Sequence, residues 1–196
     1  MGQASVVINE IHYNPPAPGG RDLEFVELYN SGPTALAIAG WKLEGWSYFE
    51  FPAGAEIPAS GYVVVCRDRD LVAESYNVSQ AELFGNYEGR LDNDGDKVSL
   101  LDGFNAVADV VTYDDRFPWP SGSGSVDGGG ASLERSCASA PSNIPTNWVS
   151  AMGNQPTPLA ANSRAVCPPV PMSVPDVVIN EIHYHPAGNS EELEEF

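Results

Sequence analysis

Apolar and polar positions alternate with a period of two along most of this 196-residue chain, in short runs punctuated by Gly, Pro, Asn and Asp. Such alternation marks half-buried strands, since successive side chains on a strand point to opposite faces. Residues 5–13 and LEFVELYN at 23–30 are two of these runs, joined by an NPPAPGG loop. ALAIAGWKLEG, SYFEF and the continuously apolar GYVVVC come next. KVSLLD and AVADVVTY flank Gly103-Phe104-Asn105 as the two arms of a hairpin. The stretch 69–84 alone reads as helical, as one or two short helices, and the glycine-rich PSGSGSVDGGG at 120–130 is expected to be a mobile loop. About seven to nine short strands at this spacing predict an all-β sandwich.

Within the first pair of strands, Val7, Ile11 and Tyr13 are expected on one face, and Val26 and Leu28 on the matching face of the second. Any antiparallel register joining those faces places Glu10, His12 and Glu27 together on the other side. Two carboxylates and an imidazole there suit Zn²⁺ or another divalent cation, or they simply face water.

The chain also repeats itself. VVINEIHY at 6–13 recurs unchanged at 177–184, and the match continues through Pro15 with Pro186 and Glu24-Phe25 with Glu195-Phe196. Between the copies lies CPPVPMSVPD, a proline-rich, semi-rigid stretch. The predicted organisation is therefore a domain over 1–165, a linker over 166–175, and the start of a second copy over 176–196. A lone duplicated strand is a pairing hazard, so a monomer is expected in dilute solution and strand-mediated dimers only at high concentration.

Taken together, INEIHYNP, EFVELYNSG, GWKLEG, FPAGAEIPASGYVVV, GRLDNDGDKVSLLDG, FPWP ahead of ASLERS, Asn147-Trp148 and the closing AANS resemble, in order and spacing, the lamin tail domain family in its bacterial form. The resemblance covers roughly residues 5–165 and departs from the usual pattern at QPTPLAANS. It implies an immunoglobulin-like, Greek-key β-sandwich with no catalytic residues. In bacteria such domains accompany large exported or surface proteins, so the implied localisation is extracellular or cell-surface and the implied partners are other protein domains.

Composition narrows the partners further. With 27 acidic against 9 basic residues, a net charge of −18, the surface repels nucleic acid and anionic lipid and suits cationic groups. No run of ~18 apolar residues could cross a bilayer, and MGQASVV has neither the basic start nor the apolar core of a signal peptide. Cys66 reads as a buried strand thiol. Cys137 and Cys167 fall in irregular Pro/Ser/Asn-rich segments, where they form a disulfide if the chain is exported and stay free thiols if it is not.

Three groups remain as candidate ligand sites. Asp92-Asn93-Asp94-Gly95-Asp96 could wrap Ca²⁺ or form a tight turn; Gly103 stands where an EF-hand needs its bidentate Glu. Trp46, Tyr48 and Trp119 could form a sugar-stacking platform or serve as core and loop anchors. For catalysis the chain offers His12, His183 and His185 but no G-x-S-x-G elbow, no P-loop and no dinucleotide fingerprint. The expectation is a non-catalytic interaction or anchoring module without a required cofactor; the alternative is an accessory module beside a hydrolase that binds carbohydrate or Ca²⁺.

Overall fold

The structure, a computed structural model, describes residues 6–121 and 126–167; the predicted second copy lies outside the described residues. The period-two runs form strands β1 (Val6–His12), β2 (Phe25–Asn30), β3 (Leu36–Ala37), β4 (Lys42–Gly45), β5 (Tyr48–Glu50), β6 (Glu56–Ile57) and β7 (Tyr62–Cys66). They continue as β8 (Leu83–Phe84), β9 (Gly95–Leu101), β10 (Val107–Asp114), β11 (Leu133–Arg135) and β12 (Trp148–Ser150). The twelve strands among the described residues exceed the expected seven to nine because several are only two or three residues long. A six-stranded sheet runs β12-β11-β1-β2-β7-β8, a four-stranded sheet runs β10-β9-β4-β5, and β3 pairs β6.

The two larger sheets enclose one core. Val6, Ile8, Ile11, Val26, Leu28, Val63, Val65 and Leu133 meet Leu43, Val98, Leu100, Val111 and Tyr113 across it. Each such side chain contributes roughly 1.5–3 kcal/mol by leaving water. Gly45 is required at the β4–β9 contact, since a Cβ there would lie 1.8 Å from the Lys97 carbonyl oxygen.

The predicted faces of β1 need one correction. The register against β2 shifts between Ile8 and Glu10, so Asn9 is an extra, bulged residue. A bulge inverts the alternation beyond it. Val6 and Ile8 therefore face the core before it, Ile11 and Tyr13 after it, and Val7 belongs to the other face. The same bulge turns Glu10 outward, directly opposite Glu27 on β2 and Glu134 on β11.

That outer face has its own covering. Helix α1 (Arg69–Tyr76) starts on an Asp68 cap, whose carboxylate accepts from Leu71 N at 3.0 Å, and ends at a left-handed Asn77. It lays Val72 on Phe25, Val64, Cys66 and Leu83. The helical pattern expected over 69–84 thus yields one helix and a short 3-10 turn, with Leu83–Phe84 passing into β8, parallel to β7.

Within the mobile loop expected across 120–130, of which 122–125 lie outside the described residues, residues 126–130 are anchored. Val126 is wholly buried, Asn14 Nδ2 donates to Asp127 Oδ1 at 2.6 Å, and Gly128 N donates to Asn14 O at 3.1 Å. At the end of the described chain, Val166 N donates to Ser136 O at 2.7 Å and Cys167 is bonded to Cys137.

Candidate functional site

Beside α1, the outer face of the six-stranded sheet carries a row of three carboxyls from three adjacent strands: Glu27, Glu10 and Glu134. All three are inaccessible to solvent, covered by the C-terminal strap, residues 155–167. Their hydrogen bonds run largely to that strap. Glu10 Oε1 accepts from Thr157 N at 2.9 Å and from the Ser132 hydroxyl. Glu27 Oε2 accepts from Leu159 N at 2.6 Å, and its Oε1 from Asn9 Nδ2 at 2.8 Å. Glu134 Oε2 accepts from Ser163 Oγ at 2.7 Å and Arg164 N at 3.3 Å. The Thr157 hydroxyl lies 3.2 Å from Glu10 Oε2 and 3.0 Å from Glu134 Oε1. A hydroxyl has one proton, so it satisfies both contacts only when one carboxyl is itself protonated.

The electrostatics agree. Burial pushes Glu10 up to about 7, its bonds to Ser132 and Thr157 opposing the rise and the Glu134 charge adding to it. Burial and the Glu10 charge raise Glu27 well above the usual carboxylate range. Among the described residues none of the three forms an ion pair, and no group of three or more acids, His or Cys is placed to hold a metal. The expected open face of Glu10, His12 and Glu27 is therefore corrected: the strap covers it, and its carboxyls bind hydroxyls and amides.

His12 sits apart from that row, between the rings of Phe25 (5.5 Å) and Tyr76 (6.4 Å), with Nδ1 3.1 Å from the Tyr76 hydroxyl. Burial lowers it to about 3, so the imidazole is neutral. A neutral, enclosed ring packed on aromatics is a core residue.

The other predicted groups are likewise structural. Asp92 Oδ1 accepts from Asp94 N at 3.1 Å, and Asp96 accepts from Asp92 N at 3.3 Å and Lys97 N at 2.8 Å. These carboxylates close a turn on their own backbone. Trp119 is only 7% exposed and packs on Trp148, ring centres 6.2 Å apart, while Trp46 and Tyr87 meet at right angles, ring centres 5.6 Å apart. Tyr48 is exposed and its hydroxyl donates to Glu50. The three do not make a common platform.

Three features escaped the sequence reading. Asn162, from the AANS marker, is buried and its Nδ2 donates to Arg135 O at 2.8 Å and Asn9 O at 3.1 Å, tying the strap to two strands. Asp109 and Arg135 form a buried ion pair at 2.6 Å. Beyond the carboxyl row lies a groove of about 580 Å³. One wall holds the stacked rings of Tyr29 and Tyr62, 4.8 Å apart, and the other the Cys137–Cys167 disulfide with Ala138 and Ala161. A signal for the tyrosines did exist: both sit where β2 and β7 alternate outward, directly opposite each other.

Sandwich topology with a strapped outer face defines an immunoglobulin-like domain. Residues 1–115 match the Lamin Tail Domain family, and the chain belongs to it. In structure it is similar to a DUF4876 family protein from Bacteroides thetaiotaomicron, with 12% identity and a TM-score of 0.45 over 90% of this chain and 75% of that one. No curated protein matches the chain.

Proposed function

We propose that this domain is a non-catalytic module of an exported or surface-exposed multidomain bacterial protein, which spaces and holds neighbouring protein domains and needs no bound cofactor. The observation that carries the reading is the bridge between Cys137 and Cys167 across the strap. A disulfide joining surface loops persists where the surroundings are oxidising. The bonding of the buried carboxyls supports it too, since each is engaged as a fastener rather than held ready for proton transfer. A net charge of −18 favours partners with cationic patches over nucleic acid or anionic membranes, and a monomer is the form in dilute solution.

A second reading, a carbohydrate-binding accessory module, is favoured by the Tyr29–Tyr62 pair facing the groove. Thermal shift of the purified protein against a glycan panel and against Ca²⁺ separates the two. The first reading expects an unchanged melting temperature throughout. A rise of several degrees with one glycan class would replace it with the second. Native alkylation of the protein from its own host, read by mass spectrometry, tests export; labelling of both Cys137 and Cys167 would sink it.

A further inference from the structure

We propose that the uncharged, proline-rich segment 168–175 of this chain docks in the Tyr29–Tyr62 groove and so holds whatever follows it at a set angle to the domain. This goes beyond the spacer reading and does not depend on export.

Three observations place the segment there. The first is position. Cys167 lines the groove, and its disulfide to Cys137 together with the Val166–Ser136 hydrogen bond fixes where the backbone leaves the domain. The described chain therefore ends at the groove, on Cys167. A docking partner tethered this closely acts at an effective concentration of the order of millimolar, so a weak intrinsic contact suffices.

The second is charge. On a chain with 27 acidic residues, the groove walls carry one charged side chain, Arg135, which is 3% exposed and paired with Asp109. Residues 168–175, PPVPMSVP, also carry no charge, and Asp176 follows at once. Two neutral surfaces matched in this way can meet without stripping water from an ion.

The third is shape. Polyproline helices are extended and pre-ordered, and they bind in grooves walled by aromatic rings because little chain entropy is lost. Tyr29 and Tyr62 present such a wall, and eight residues in that form reach ~25 Å.

The test uses the full chain with alanine methyls labelled for NMR. Pro168→Ser, Pro169→Ser and Pro171→Ser are introduced together, outside the folded sheets, so the domain's other signals should superimpose. The methyl of Ala161, which is not joined to the substitutions through the Cys137–Cys167 bridge as Ala138 is, should shift, and the wild-type positions of both methyls should stay constant across a hundred-fold dilution. An unmoved Ala161 methyl would overturn the proposal. So would wild-type shifts that vanish on dilution, which would make a second copy the occupant. Added glycans that displace the same wild-type methyl signals at saturation, with the proline variant behaving identically to wild type, would assign the groove to sugar instead.

Discussion

Glu10 shows how one residue couples the sheet to the strap. Its protonated form suits the surroundings: Oε1 accepts from Ser132 and Thr157 N while Oε2 can donate to the Thr157 hydroxyl. The facing groups are Glu27 and Glu134 on the neighbouring strands and neutral donors on the strap. A carboxyl raised from 4.5 to about 7 in the folded state keeps a proton that the unfolded chain releases. Its stabilisation is full below pH 4.5 and is lost as pH rises through about 7. Glu27 and Glu24, also raised by burial, act in the same direction. The melting temperature should accordingly fall between pH 5 and pH 8, and a rise over that interval would refute the assignment. Glu10→Gln mimics the protonated acid, with its amide donating where the acid proton did. It should leave stability at pH 5 nearly unchanged and raise it at pH 8 by up to ~3 kcal/mol, measured by urea unfolding at both values.

At the scale of elements, the question is how β1 is held along its length. β11 pairs with it only at Glu10 and Ile11. Further back, side chains replace the missing strand: Ile8 N donates to Asp109 Oδ2 at 2.9 Å, and Ile8 O accepts from Arg135 Nη1 at 3.1 Å. Asp109 reaches across from β10, in the opposite sheet, where the β9–β10 register shifts between Val107 and Asp109. The ion pair thus satisfies a backbone edge that would otherwise be buried unpaired. Ser142 adds a 2.5 Å bond to Asp109. Removing one partner of a buried pair leaves the other charge uncompensated, so Asp109→Ala should cost about 3–5 kcal/mol. A urea midpoint within error of wild type would show that the seam is held by packing alone. Neither Asp109 nor Arg135 stands out in its strand pattern, because the pairing depends on register shifts that only the folded sheets reveal.

For the whole molecule, the family match ends at residue 115 while the fold continues to Cys167. β11 lies next to β1, Val126, Leu133 and Trp148 fill the core, and the strap supplies the partners of Glu10 and Glu27. A fragment of residues 1–115 should therefore show no cooperative thermal transition, whereas residues 1–167 should show one. Cooperative melting of the shorter fragment would mean that the last two strands merely decorate a complete domain. The sequence by itself determined the all-β class, most strand positions, the β9–β10 hairpin and the helix after β7, because period and turn chemistry are local properties. It also determined that Glu10 and Glu27 share a face, since alternation counted from Ile11 and Tyr13, beyond the bulge, requires it. Tertiary structure alone decided that this face is closed. The Asn9 bulge, the cap formed by Thr157 and Leu159, and the disulfide that pins the strap join residues up to about 150 positions apart. Whether a carboxyl meets water or a backbone amide is settled by what packs over it, and alternation along a strand carries no record of that.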